Sequence, residues 1–139
     1  MTLAYDTGLE SQIIGFATRV HSRLGPGLLQ EVYERCLCTE FEQNGVPFAR
    51  QVDLPLDYDT VLLDCGYRAD IIVRNEVLLE LKSVDEISLL HEVQLQTYLR
   101  FSVCAVGLLL NFNTLCLEDG IRRRVRCYPA DRSAAMARS

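Results

Sequence analysis

Three charged side chains stand inside or at the edge of apolar runs between Tyr67 and Lys82: Asp70, Glu80 and Lys82. Burying a charge is costly unless it is paired, hydrogen-bonded or held on a metal. Their presence in otherwise apolar strands therefore points to chemistry. The runs read as two strands joined by a turn at Arg74-Asn75-Glu76. Strand side chains alternate faces, so Glu80 and Lys82 share one. If the turn sets Val73 opposite Val77, Asp70 falls opposite Glu80 and Arg68 opposite Lys82. Two neighbouring carboxylates repel and raise one pKa unless a cation lies between them. A hard divalent ion such as Mg²⁺ is the usual cation for carboxylate oxygens. A one-residue slip would turn Asp70 to the wrong face, so the reading depends on register.

A helix is predicted directly after this hairpin, over Ile87 to Phe101. His91, Gln94 and Tyr98 fall at i, i+3 and i+7 and share a face, while Leu95 and Leu99 form a separate apolar one. Gln94 and Tyr98 are candidates to bond a ligand or to hold Lys82 and the carboxylates. His91 reads as an ordinary surface histidine.

The remaining elements must position that hairpin. Ile13, Ala17, Val20 and Leu24 recur at helical spacing, predicting a helix over Gly8 to Leu24. Gly25-Pro26-Gly27 breaks it. A second helix spans Leu28 to Asn44, with Leu29, Val32, Tyr33, Cys36, Leu37 and Phe41 inward and Glu31, Glu34 and Arg35 outward. Val46 to Tyr58 and Val61 to Val73 read as strands, the first irregular at Pro55 and the second interrupted at Cys65-Gly66. Val103 to Asn111 is a continuous apolar run, fitting a strand covered on both faces. Ile121 to Tyr128 is a last strand. Helices and strands in this order make an α/β sandwich.

The 139 residues suit one domain over residues 1–128, with a fraying tail over 129–139. No apolar run spans a membrane, and Met1 to Glu10 carries no secretory pattern, so a cytoplasmic protein is expected. Cys36, Cys38, Cys65, Cys104, Cys116 and Cys127 show no CxxC spacing and read as reduced thiols. A zinc site would need His21 or His91 to add imidazoles and is not favoured. The net charge of −5 argues against a broad non-specific nucleic-acid surface. Arg122, Arg123, Arg124 and Arg126 cluster late and read as a solvated strand.

Asp70 followed by Glu80-Leu81-Lys82 resembles the signature of the PD-(D/E)XK nuclease superfamily, and Gln94-Leu95-Gln96-Thr97-Tyr98 is similar to its QxxxY motif. More closely, Leu24 to Leu29, Val32-Tyr33-Glu34, Tyr67 to Asp70, Glu80 to Lys82, Gln94, Thr97 to Leu99, Gly107 to Leu109, Asn111-Phe112 and Gly120 to Arg123 look like the small bacterial GxxExxY proteins. The resemblance implies a restriction-endonuclease-like three-layer core, a mixed central sheet flanked by helices. It implies Mg²⁺-dependent phosphodiester hydrolysis on DNA or RNA, with Mn²⁺ as a substitute, and is compatible with a homodimer. Asp70, Glu80 and the Leu81 backbone carbonyl would hold the ion. Lys82 would orient water or stabilise charge growing on the phosphate. Gln30 stands where the family name calls for Glu, and a neutral amide would hold metal more weakly. Ala69 stands where the signature has proline. The alternative is a nuclease-like domain without robust catalysis, a binding or assembly module in which Lys82 is a structural counter-ion for Asp70 and Glu80.

Overall fold

Apolar alternation along β5 (Val77–Lys82) divides the interior into two halves. Val77, Leu79 and Leu81 belong to one core and Leu78 to the other, as the two-residue period of a strand requires. The computed structural model describes residues 8–64 and 66–126. In chain order these form α1 (Leu9–Leu24), α2 (Gln30–Gln43), β1 (Phe48–Asp53), β2 (Leu56–Tyr58), β3 (Val61–Leu63), β4 (Arg68–Val73), β5, α3 (Leu89–Arg100), β6 (Val106–Asn111), a 3-10 turn (Leu117–Gly120) and β7 (Ile121–Val125).

Five strands build a mixed sheet in the order β1-β4-β5-β6-β7, and β2 and β3 form a separate hairpin. Only β5 and β6 run parallel. A parallel pair needs a crossover, and α3 supplies it. Ile13 and Ala17 of α1 and Tyr33, Leu37 and Phe41 of α2 cover one face of the sheet. Leu95 and Leu99 of α3 cover the other. β6 is buried along its whole length, as its unbroken apolar run requires. The expected α/β sandwich, a mixed sheet between helical layers, is what forms.

The β4–β5 turn holds Arg74 and Asn75 at φ 53° and 57°, the left-handed pair that suits the twist of a tight hairpin. Val73 pairs with Val77 as expected. The predicted strand from Val46 to Tyr58 divides into β1 and β2 around Leu54-Pro55, where proline offers no ladder donor. The strand predicted over Val61 to Val73 divides into β3 and β4. The last strand, predicted over Ile121 to Tyr128, runs to Val125 among the described residues. The tail and Cys65 and Cys127 lie outside them.

The inward stripe predicted for α2 needs correction. Leu29 precedes the helix and is 77% exposed, and Val32 is exposed as well. The stripe is Tyr33, Leu37 and Phe41, and Glu34 is buried beside it. The expected outward carboxylate is taken inside because Arg50 and Gln51 reach it from β1. The arginine cluster is also not a solvated strand. Arg123 pairs with Glu10 of α1 and Arg124 with Glu92 of α3. Arg122 donates to the Asp119 and Ile121 carbonyls, and Arg126 to those of Ser102 and Cys104.

The four described cysteines are free thiols; Cys38 and Cys104 are buried, Cys36 is half-buried and Cys116 is exposed. Burial pushes the Cys38 and Cys104 thiols up to about 11, so neither is a ready nucleophile.

Candidate active site

The site forms where β4 and β5 part. Their ladder runs from Val73–Val77 to Ile71–Leu79 and goes no further. Beyond it, side chains take over the backbone donors. The Asp70 N–H donates to Oε1 of Glu80 at 3.1 Å, and the Leu81 N–H donates to Oδ2 of Asp70 at 2.8 Å. Asp70 therefore does meet Glu80, but through side chains inserted between separating strands. Arg68 is not opposite Lys82: it pairs with Asp53 on β1, and its guanidinium bonds the Asp53 carboxylate at 3.1 Å.

The other flank of Asp70 is also distorted. The β1–β4 register brackets Gln51 against Asp70, with Arg50–Ile71 on one side and Val52–Ala69 on the other. Gln51 sits at φ 50°, a left-handed conformation that costs a side-chain-bearing residue about 1–2 kcal/mol. The kink brings its amide to both oxygens of Glu34, at 3.1 and 3.3 Å, and the same amide stabilises the Asp70 carboxylate. Arg50 closes the cluster, donating to Oε2 of Glu34 from Nε at 3.0 Å and from its terminal nitrogen at 2.9 Å.

A third support comes from the loop between α1 and α2. Gly25 and Gly27 turn it at φ 69° and 98°, values natural to glycine. Tyr33, wholly buried and stacked on Phe112 with centroids 4.6 Å apart, pins the loop. Its hydroxyl donates to the Gly25 carbonyl at 2.6 Å and accepts from the Leu28 N–H at 3.1 Å. Ser83 donates to the Leu28 carbonyl at 2.6 Å, tying the loop to the end of β5. The tether leaves Gln30 at the start of α2, where its amide donates to Oδ2 of Asp70 at 3.4 Å. Buried Asn111 locks the segment after Lys82. It accepts from the Val84 N–H and donates to the Val84 carbonyl, while the Phe112 N–H donates to the Lys82 carbonyl.

The electrostatics follow from this packing. Burial pushes the Glu80 carboxyl up to about 8, with the neighbouring Asp70 charge adding to the rise. Burial also raises Asp70, against the opposing bond from the Leu81 N–H. Lys82 lowers both values. Its ammonium nevertheless makes no ion pair among the described residues, so it is not a structural counter-ion in direct contact. Burial raises Tyr98 as well, with the Glu80 and Asp70 charges next in importance. Tyr98 thus borders the carboxylates, its ring 5.9 Å from that of Tyr67. Gln94 is half-buried one turn earlier, and its side chain makes no hydrogen bond among the described residues. His91 is a helix cap: its Nδ1 accepts from the Ser88 N–H, and Ser88 accepts from the His91 N–H. His21 is spent on the Thr114 carbonyl at 2.7 Å.

The donor set fits a hard divalent ion. Two like-charged, partly dehydrated carboxylates with raised pKa values are relieved by a cation between them. The Leu81 N–H faces Asp70, and a strand residue's carbonyl points to the same side as its N–H, so the Leu81 carbonyl is directed into the same gap. No group of three His, Cys, Asp or Glu side chains gathers for a metal among the described residues. Any ion would therefore rely on the two carboxylates, that carbonyl and the Gln30 amide.

Two further features of the sequence bear on the site. Lys82 is the chain's only lysine, the other permanently charged basic side chains all being arginine. A compact ammonium where all other cations are planar guanidiniums suggests a position chosen for a point charge. Glu34 follows Tyr33 directly, and only the fold reveals that Arg50 and Gln51 hold it inside. No helix among the described residues is long and apolar enough to cross a membrane.

A model of the PD-(D/E)XK nuclease superfamily matches residues 7–124. Neither the curated proteins nor the solved structures give a match. With nearly the whole chain covered, and a mixed sheet whose parting strands present Asp70, Glu80 and Lys82, the chain belongs to the PD-(D/E)XK nuclease superfamily.

Proposed function

We propose that this protein hydrolyses phosphodiester bonds in a divalent-metal-dependent reaction and belongs to the small GxxExxY group of its superfamily. The observation that carries the reading is the mutual insertion of Asp70 and Glu80 between parting strands. Backbone ladder bonds have been given up there to hold two carboxylates together in a partly dry gap. A purely structural hairpin gains nothing from that exchange, since each buried carboxylate loses hydration. Mg²⁺ or Mn²⁺, when bound, would supply charge neutralisation on the phosphate and a more acidic water.

The chain's own groups have distinct tasks in this reading. Asp70 and Glu80 hold the ion, with the Leu81 carbonyl as a further ligand. Lys82, not committed to a direct ion pair, places a positive charge where negative charge grows on the phosphate. Tyr98 restrains the Glu80 side of the pocket, and Gln94 faces the substrate with unspent amide groups. Gln30 and Gln51 steady Asp70.

A second reading rests on Gln30. It presents an amide where the GxxExxY pattern has a carboxylate, and that amide donates to the Asp70 oxygen. Metal binding would then be weak and the domain would serve as a nucleic-acid-binding or assembly module. The deciding experiment is a cleavage panel of single-stranded, duplex and branched DNA and of RNA, with Mg²⁺ or Mn²⁺. The hydrolytic reading requires metal-dependent cleavage that falls by about a hundredfold or more in both Asp70→Asn and Lys82→Ala. Activity surviving both changes is a contaminant's. No cleavage, together with no Mn²⁺-induced rise in melting temperature, favours the module.

A further inference from the structure

We propose that Tyr67 and Tyr98 form a stacking platform for an unpaired nucleobase beside the Asp70–Glu80 pair, so that the substrate is single-stranded nucleic acid or a frayed end and not intact duplex. The inference rests on the hydrolytic reading for its location but not for its test.

Tyr67 lies three residues before Asp70, is 39% exposed, and leans on Tyr98 with ring centroids 5.9 Å apart and planes inclined at 42°. Tyr98 is anchored from below by the apolar cluster that contains Leu95 and Leu99. Tyr98 is thus held against the core, while Tyr67 beside it stays partly open to solvent. The opposite side of the site is apolar as well. Leu28 and Leu29 are exposed on the loop that leads into Gln30, and Ser83 ties that loop to β5 next to Lys82. Every nucleobase has a π-face, so aromatic stacking captures unpaired bases with little regard to sequence. A paired base within a duplex keeps its faces covered by its neighbours.

The cations argue the same way. Duplex binders neutralise many phosphates with free Lys and Arg. Here Arg50 is spent on Glu34 and Arg68 on Asp53. The arginines of β7 are spent on Glu10, Glu92 and backbone carbonyls. With a net charge of −5, the chain carries no overall positive surplus of the kind a broad duplex surface uses, while a short unpaired strand held by its bases needs few phosphate contacts.

The chain contains no tryptophan, so Tyr67→Trp introduces a single indole at the platform. The experiment titrates this variant, in EDTA, with a fifteen-nucleotide single strand as DNA or RNA and with a blunt duplex of the same sequence. Saturable indole quenching is expected with the single strands, with affinity about tenfold tighter than for the duplex. In parallel, fluorescence anisotropy of a labelled single strand should show about tenfold weaker binding by Tyr67→Ala and near-native binding by Tyr67→Phe, at unchanged melting temperature. Equal affinity for duplex and single strand, or native binding by Tyr67→Ala, overturns the platform. So does a loss in Tyr67→Ala that merely follows a fall in melting temperature. Because no metal or cleavage enters, the two readings fail separately. Single-strand binding by a protein that never cleaves supports the platform alone. In the separate cleavage panel, cutting of blunt duplex as fast as single strand supports hydrolysis and removes the platform.

Discussion

The Asp70 backbone N–H donates to the Glu80 carboxylate at 3.1 Å, and the Leu81 N–H beside Glu80 donates back to Asp70 at 2.8 Å. This reciprocal exchange holds two acids together where strands would otherwise pair, and it sets a pH dependence. Burial and the Asp70 charge lift Glu80 from its ordinary 4.5 to about 8. Below about pH 4.5 the folded and unfolded chains both keep the proton. Between there and about pH 8 the unfolded chain has released it and the folded chain has not, so the group's contribution to stability falls as pH rises. Above about pH 8 there is no further loss. Glu80→Gln should therefore be no more stable than wild type at pH 4.5 and should melt higher by about 4 °C or more at pH 8.5, metal-free. Calorimetry of both proteins across that range checks this, and a wild type that gains on the variant as pH rises contradicts the packing described for Glu80.

The solitary lysine permits a direct measurement at the site. Reductive methylation with ¹³C-formaldehyde labels only Lys82 and the chain's α-amino group, because Lys82 is the only lysine. Lys82 lies within electrostatic reach of both carboxylates, so its methyl resonance should move as Glu80 ionises, with an inflection near pH 8. Mg²⁺ should shift the resonance at neutral pH, and Asp70→Asn should abolish the Mg²⁺ response. A resonance indifferent to both pH and Mg²⁺ would place the ammonium away from the pair.

Much of this arrangement is legible in the sequence because local pattern and tertiary demand agree. The β4–β5 register follows from apolar runs flanking Arg74-Asn75-Glu76, and β6 from an unbroken apolar stretch. The α3 cap at Ser88 and His91 was hidden, since histidine is an unusual partner in a capping box. Helical periodicity ranks the Glu34 carboxylate as outward, yet it is buried. Its burial depends on Arg50 and Gln51, sixteen and seventeen residues away. The same limit hid the fate of the β7 arginines, whose partners Glu10 and Glu92 come from two different helices. Periodicity reports which face is apolar. It does not report which charges another element neutralises.

Gln30 offers a test of what the family's glutamate contributes. Its amide already reaches Asp70 at 3.4 Å, so Gln30→Glu places a third carboxylate at the same spot without new geometry. Mn²⁺ should then bind about tenfold more tightly, or about 1.4 kcal/mol, and with greater proton release. The metal-free variant should be less stable than wild type, because the added charge faces Asp70 and Glu80. Isothermal titration with Mn²⁺ measures the first effect and thermal melting in EDTA the second. Unchanged Mn²⁺ affinity would show that Gln30 lies outside the metal's reach.

Gln51 carries a cost that only its bonds justify. It holds φ at 50° opposite Asp70 and spends its amide on Glu34. Replacing it by alanine removes those bonds and keeps the left-handed cost; replacing it by glycine removes both. Gln51→Gly should therefore be more stable than Gln51→Ala by about 1 kcal/mol, the reverse of the usual order in a strand, where glycine is the weaker residue. Both variants should loosen Asp70 and weaken Mn²⁺ binding alike, since neither retains the amide. Denaturant unfolding of the pair settles the stability order, and Mn²⁺ titration the second effect. An alanine variant at least as stable as the glycine one would mean that the backbone at this position relaxes at no cost, and that the kink facing Asp70 is not imposed by the fold.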